Sequence, residues 1–362
     1  MTSYPIGSAK ADLDTPCLCL DAAALERNIA KMADYCRQRP VRVRPHAKTH
    51  KCPTIAWMQM NAGAIGITCA KLGEAEVMAK AGIRDLLIAN QIIGRQKIAR
   101  LINLAAYSDV MVAVDDAGNA AELSEAAVAK GLKLRTIIEV DVGMGRCGTQ
   151  PGEETLALAQ KMVEMPGLRF EGIMGYEGFA VMIPDMDERR QKAEGAMAKL
   201  VGSAELLRRE GIPVGIVSAA GTGTYHITGE IEGITELQAG SYATMDAKYK
   251  SVDADFELAL SVLAQVISVR DDVAIIDAGM KAMTPEFGMS VVVAPEGWAL
   301  AKLSEEHGIL QRQGGEALRR GDLVELIPSH GCTTINLYNE YWVTRDGVLE
   351  AVWPISGRGQ VR

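Results

Sequence analysis

Between Val41 and Tyr242 the chain repeats one pattern: a short apolar or β-branched run, then a stretch with helical apolar spacing. The runs fall at residues 41–45, 65–70, 85–91, 109–115, 134–141, 170–176, 214–219 and 235–242. Stretches 71–81, 117–130, 155–165 and 187–210 read as helices, and Gly82, Gly131 and Gly211 stand where C-terminal caps belong. Strands that alternate with helices pair in parallel and are covered on both faces. Eight successive units predict an α/β fold built on a closed (β/α)8 barrel. An open, doubly wound sheet is the rival, because a count of strands does not show closure.

After Asp246 the rhythm changes. Segments 256–269, 273–277, 290–294, 323–327, 341–344 and 348–353 read as strands with little helix between them, and Asp271-Asp272 and Asp346-Gly347 read as turns. This predicts a second, mostly antiparallel β domain. The strand-like 14–21 near the start is assigned to it. The expected division is a barrel over 22–247 and a β domain of 1–21 plus 248–362.

A chain of 362 residues, 48% hydrophobic and 23% charged, has the make-up of a globular protein with a large core. Its net charge of −8 argues against general nucleic-acid binding. The basic stretch Arg44-Pro45-His46-Ala47-Lys48-Thr49-His50-Lys51 is therefore local and suits a small anion. Met1-Thr2-Ser3-Tyr4-Pro5 carries no charged-then-apolar leader pattern, and no apolar run is long enough for a bilayer. Seven scattered cysteines suggest no disulfide framework, so a cytoplasmic setting is expected.

Barrel enzymes carry their chemistry at the C-terminal strand ends, and the last two βα loops often hold phosphate. Those ends read Lys48, Asn90, Asp115, Arg146, Tyr176, Ser218 to Thr224, and Gln238 to Tyr242. A lysine among other cations has a lowered pKa, as a Schiff-base lysine needs; an exposed basic hairpin is the plainer alternative. Gly221-Thr222-Gly223-Thr224 and Gly240-Ser241-Tyr242 supply hydroxyls and open backbone N–H groups, the parts of a phosphate cradle. Gly143-Met144-Gly145-Arg146-Cys147-Gly148 has the glycine spacing of a dinucleotide site. However, Thr149-Gln150-Pro151-Gly152 delays the helix such a site requires. His330 and Cys332 lie two apart after a predicted strand; on an extended chain they project to one side and can share a metal, zinc or another borderline-soft ion. A satisfied core histidine beside a buried cysteine is the alternative. Asp185, Asp187, Glu188, Arg189 and Arg190 read as a solvated helix start.

Taken together, five segments resemble a known family: Asp14-Thr15-Pro16, the Arg44–Lys51 stretch, residues 139–148, residues 235–242 and Pro328-Ser329-His330-Gly331-Cys332. The chain resembles the D-threonine aldolase and D-serine dehydratase group, pyridoxal-phosphate enzymes of the alanine-racemase fold type. The resemblance implies that Lys48 bonds the cofactor, Arg146 lies beside its ring and phenolic oxygen, and Tyr176 packs near the ring. It also implies a cofactor-binding set of Gly221, Thr222, Gly223, Thr224, Gln238, Gly240, Ser241 and Tyr242. His330 and Cys332 would bind a divalent metal (Zn, Mn or Mg), and a homodimer would share its active sites.

Two departures bear on the reaction. Aldolases of the group pair the metal histidine with an aspartate, whereas Cys332 is the dehydratase-like choice. Tyr176-Glu177-Gly178-Phe179 lacks the histidine used as a base by some aldolases, and Met182 stands where it would fall. Glu177 is then a candidate proton acceptor. The expected activity is retro-aldol cleavage of a D-3-hydroxy amino acid, D-threonine or D-3-hydroxyaspartate, to glycine and an aldehyde. Dehydration of D-serine or D-3-hydroxyaspartate to a 2-oxo acid and ammonia is the alternative. A racemase or a non-catalytic pyridoxal-phosphate carrier would leave the His-x-Cys pair without a task.

Overall fold

The computed structural model describes residues 5–252 and 255–362; Met1-Thr2-Ser3-Tyr4, part of the stretch read for a leader, lies outside them. The chain divides into two compact units. One comprises Met1–Ala30, Thr49–Thr54 and Ser241–Gly359, the other Lys31–Lys48, Ile55–Gly240 and Gln360–Arg362.

In the second unit, the barrel unit, the strands are Arg42–Val43, Ile67–Cys69, Asp85–Gln91, Asp109–Val114, Leu134–Glu139, Leu168–Met174, Ile216–Ala219 and Glu236–Leu237. From Ile67–Cys69 onward each pairs in parallel with the next, and Glu236–Leu237 pairs in parallel with Arg42–Val43. The remaining seam closes through Ile65 N–H to Val43 C=O (3.0 Å), Thr68 N–H to Pro45 C=O (2.9 Å) and Ala47 N–H to Thr68 C=O (2.7 Å). Closure decides for the barrel over the open sheet. Pro45 has no N–H to give and ends the regular part of the first strand early. Helices Leu72–Lys80, Ala117–Ala129, Glu153–Val163 and Met186–Arg209 stand where the periodicity places them. Pro53–Asn61 and Arg95–Ala105 are further helices; in the first, apolar residues run almost without interruption and leave no face to read.

The barrel interior has two layers. Leu87, Met111, Ala113, Ile137 and Met174 form a dry apolar layer. Toward the strand starts lies an ionic layer around a polar cavity of about 310 Å³. There Arg44 Nε donates to Glu236 Oε2 (3.1 Å) and its Nη1 to Asp85 Oδ1 (2.6 Å). Arg135 bonds Asp85, Asp109 and Glu171 at 3.1, 2.9 and 3.2 Å. Gly66 makes room for this layer, because a Cβ there would sit 2.0 Å from Arg44 Nη1. The placement of Arg44 corrects an expectation. It was to face a small anion beside Lys48, but it is buried with its charge matched by two carboxylates. It therefore belongs to the ionic layer and not to an anion site beside Lys48.

The other unit, the β unit, is a nine-stranded, mainly antiparallel sheet. Cys17–Asp21 runs antiparallel to Leu260–Arg270 and parallel to Glu340–Arg345. Leu260–Arg270 pairs with both Leu323–Ile327 and Val273–Ile276. Asp346 and Gly347 both take positive φ (51° and 76°), the geometry of a two-residue hairpin turn. The hairpin Trp298–Leu303 with Gly308–Arg312 is absent from the expected strands. Its bulge between Leu300 and Lys302 breaks the alternation by which a strand is recognised. None of the seven cysteines is in a disulfide. No helix among the described residues is long and apolar enough to cross a membrane.

Candidate active site

At the C-terminal end of the first barrel strand, Lys48 presents its Nζ 5.5 Å from the centre of the Tyr176 ring. That ring also lies against the loop after Ile216–Ala219: a Cβ on Gly221 would meet Tyr176 Cε2 at 3.2 Å and Val181 Cγ1 at 2.9 Å. A Cβ on Gly223 would stand 2.0 Å from the Val181 carbonyl oxygen. Glycine at 221 and 223 is thus required by close approach, and it brings the backbone up beside the aromatic ring. The structure thus brings Lys48 and the loop at Gly221 against one ring, that of Tyr176.

Arg146 sits on a loop fixed by two acids. Asp141 Oδ1 accepts from the N–H groups of Gly143 (2.9 Å) and Gly145 (3.1 Å), and Asp115 Oδ2 accepts from Gly148 N–H (2.9 Å). The helix begins only at Glu153, so the glycine pattern forms no dinucleotide turn. Arg146 is half exposed, with Nη2 3.6 Å from Glu139 Oε1; Gln91 Nε2 donates to the other oxygen at 2.7 Å. Burial pushes the Glu139 carboxyl up, against the pull of Gln91 and Arg146. The arrangement leaves a guanidinium held from behind with its outer face open to a ligand. Gln91 carries no sequence signal beyond being at a strand end, and Glu139 stands first in the family-like segment 139–148, with no role read for it there.

Gln238 Nε2 donates to Ser218 Oγ (2.9 Å), and Ser218 Oγ donates to Glu236 Oε1 (2.8 Å). Ser218 Oγ, whose one proton goes to Glu236, accepts from Gln238. The Gln238 amide is thereby oriented from the ionic layer.

Glu177 departs from its expected role. It is fully buried, and its Oε1 accepts from Thr224 Oγ1 (2.6 Å) and Thr228 Oγ1 (2.7 Å), while Oε2 accepts from Ala220 N–H (3.3 Å). Burial pushes its carboxyl up, and those hydrogen bonds work against the rise. With both oxygens engaged and no exposed surface, it is badly placed to take a proton from a substrate. Thr224, expected in the cradle, gives its hydroxyl proton to Glu177. Arg189 departs as well: expected on a solvated helix start, it is 1% exposed, and its Nη1 donates to the Gly223 carbonyl at 3.3 Å. Asp185 does cap that helix, accepting from Glu188 N–H at 2.8 Å.

The β unit holds the second cluster. Cys332 Sγ lies 3.4 Å from Thr49 Oγ1 and 3.9 Å from Ser241 Oγ. Tyr242 packs with its ring 5.5 Å from that of Phe256. His330 ends the extended chain, and a short helix, Gly331–Ile335, begins at the next residue. The extended spacing assumed for the pair is therefore not what joins it; the helical turn brings Cys332 into hydrogen-bonding contact with His330. Asp246, buried and with no motif around it, accepts from Gly331 N–H (2.8 Å) and Tyr249 N–H (2.8 Å) and pairs with His330 Nδ1 (2.9 Å). Burial works to lower the His330 pKa, but its hydrogen bonds to Asp246 and Cys332 outweigh this and hold the imidazole up at about 10.

This donor set fits a divalent ion. It offers the Cys332 sulfur and an imidazole whose Nδ1 is fixed by a carboxylate, the partner metal-binding histidines commonly have, and an ion bound there would take the place of their protons. Among the described residues, no group of three His, Cys, Asp or Glu side chains is arranged to hold a metal ion, so His330 and Cys332 would supply two ligands and leave further positions to solvent or substrate. Asp246→Ala is expected to weaken binding of zinc or manganese by about 10–100-fold in a chelator competition. Unchanged affinity would remove Asp246 from the site.

Comparison with known proteins agrees with both halves. Residues 20–248 match the model for the alanine racemase N-terminal domain, and residues 259–344 match that for a putative serine dehydratase domain. The chain is 39% identical to D-threonine aldolase of an Arthrobacter species, over 98% of this chain and 95% of that one. It is 37% identical to 3-hydroxy-D-aspartate aldolase of Paracoccus denitrificans, over 98% and 94%. The crystal structure of D-threonine aldolase from Filomicrobium marinum superimposes with a TM-score of 0.97 at 38% identity, covering 99% of each chain. A barrel with a lysine and a glycine loop beside one tyrosine ring, matched in sequence from end to end, places the chain in the D-threonine aldolase and D-serine dehydratase-like family of alanine-racemase-fold lyases.

Proposed function

We propose that the protein is a pyridoxal-phosphate- and divalent-metal-dependent lyase that cleaves D-3-hydroxy amino acids, D-threonine or D-3-hydroxyaspartate, to glycine and an aldehyde. The observation that carries this reading is Lys48 Nζ at 5.5 Å from the Tyr176 ring, with the Gly221 backbone packed against that same ring. Lys48 would hold the cofactor, Tyr176 would cover its ring, Arg146 would face its phenolic oxygen, and the Gly221–Thr224 loop with Gly240, Ser241 and Tyr242 would serve its phosphate. When bound, the cofactor supplies an electron sink for a bond broken at the α carbon. An ion held by His330 and Cys332 would supply Lewis-acid charge to a substrate hydroxyl.

The protein's own groups then orient and exclude. Glu139 and Gln91 hold Arg146 from behind, the Glu236–Ser218 pair orients Gln238, and Asp246 fixes the His330 ring. Glu177 is left out of proton transfer by its burial. A homodimer in the cytoplasm completes the proposal, and light scattering that gives twice the chain mass is the expected result for the assembly.

Dehydration of a D-3-hydroxy amino acid is the second reading. It is favoured by Cys332, the dehydratase-like ligand, and by the match over residues 259–344. It differs in the atom that loses a proton: the Lys48 amine would take it from the α carbon. The first test is metal removal. Dialysis against a strong chelator is expected to abolish cleavage of D-threonine while the visible band of the bound cofactor persists, and added manganese or zinc restores it. Full turnover after chelation would refute the metal's role.

A further inference from the structure

We propose that Glu177 and Arg189 are a buried pair of positioning residues that shape the Ala220–Thr224 loop for a phosphate group. This rests on the pyridoxal-phosphate reading and names what makes the loop fit its ligand. The loop leaves the strand Ile216–Ala219 through Ala220, which holds a left-handed backbone (φ 74°) that an alanine takes reluctantly. Glu177 Oε2 accepts the Ala220 N–H and fixes that turn, while Oε1 binds the Thr224 and Thr228 hydroxyls at the far end of the same segment. One carboxylate thus ties the start, the middle and the end of a nine-residue stretch, 220–228. Gly221 N–H in turn donates to Thr224 Oγ1 (3.1 Å), so the hydroxyl that Glu177 grips also grips the loop.

Arg189 acts on the opposite polarity. Its guanidinium, buried behind the loop, draws the Gly223 carbonyl toward itself. A carbonyl at the mouth would repel an anion, so turning it inward favours phosphate. Glu177 itself is no ligand, because both its oxygens are engaged by Ala220, Thr224 and Thr228 and it has no exposed surface; its effect on the ligand is transmitted by loop shape alone.

The test titrates the full-length protein with pyridoxal phosphate and, separately, with pyridoxal, which has the ring and aldehyde but no phosphate. Binding is read by absorbance and fluorescence. Glu177→Ala and Arg189→Met are expected to weaken pyridoxal phosphate by about tenfold or more while pyridoxal changes by less than about twofold. Glu177→Gln, which keeps an acceptor for the threonines, recovers part of the loss. Thr228→Val lies outside the loop and keeps the buried Glu177 carboxyl; it is expected to weaken pyridoxal phosphate alone, by about threefold, and decides the matter if Glu177→Ala does not fold. If Thr228→Val or a folded Glu177→Ala lowers both affinities equally, or neither, the positioning role is overturned. Wild-type protein that binds pyridoxal as tightly as pyridoxal phosphate would instead contradict the phosphate-loop reading itself.

Discussion

Lys48→Ala is expected to lose the visible band that develops when wild-type protein takes up pyridoxal phosphate, and to lose at least about 10³-fold in cleavage rate. The argument is positional. Lys48 is at the C-terminal end of a barrel strand, where barrel enzymes place their reacting groups, with its amine 5.5 Å from the Tyr176 ring. The Gly221–Thr224 loop and Tyr176 survive the substitution, so on the proposed reading the variant should still bind the cofactor, but without a covalent bond, and gel filtration should strip it. Borohydride reduction of wild-type protein, followed by peptide mass analysis, should fix the cofactor on residue 48. A label on any other lysine, or a band that persists in Lys48→Ala, would refute the assignment.

The second large effect is on stability. Arg44→Met is expected to lower the unfolding free energy of the barrel by about 3–5 kcal/mol, read from its urea transition, because it strands a buried carboxylate. Glu236 is 2% exposed and loses the guanidinium it pairs with, whereas Asp85 is 32% exposed and keeps Arg135. The cost therefore sits mainly on Glu236. Pairing Arg44→Met with Glu236→Gln should recover most of it, since neutralising both partners leaves no buried charge. If the double variant is no more stable than the single one, the loss comes from packing and not from the stranded charge. The single variant should also disturb Gln238, whose amide is oriented through Ser218 and Glu236.

Much of the barrel was legible because each strand is short, apolar and followed by a helix with its own period and stop. The strand ends could then be read as a list, and that list contained Lys48, Arg146, Tyr176 and the Gly221–Thr224 loop. What was not legible is how side chains turn once buried. Arg44 and Lys48 look alike in a basic stretch, yet one points into an ionic core and the other to the strand end. Glu177 and Arg189 look like a free acid and a surface cation, and tertiary packing buries both behind one loop. Asp246 has no motif because its role depends on His330, 84 positions away in sequence. The hairpin of Trp298–Leu303 and Gly308–Arg312 escaped because its bulge erases alternation.

The central claim is that the bond broken is Cα–Cβ. D-3-hydroxyaspartate separates the two reactions cleanly: retro-aldol cleavage gives glycine and glyoxylate, whereas dehydration gives oxaloacetate and ammonia. Both oxo products answer to general carbonyl reagents, so the nitrogen is the marker to follow. Incubation of the metal-loaded holoenzyme with this substrate and with D-threonine, with glycine and ammonia quantified together, is the most direct measurement. Glycine in equal amount to substrate consumed, with no ammonia, is the predicted result. Ammonia in equal amount with no glycine, or no turnover of either substrate, would contradict it.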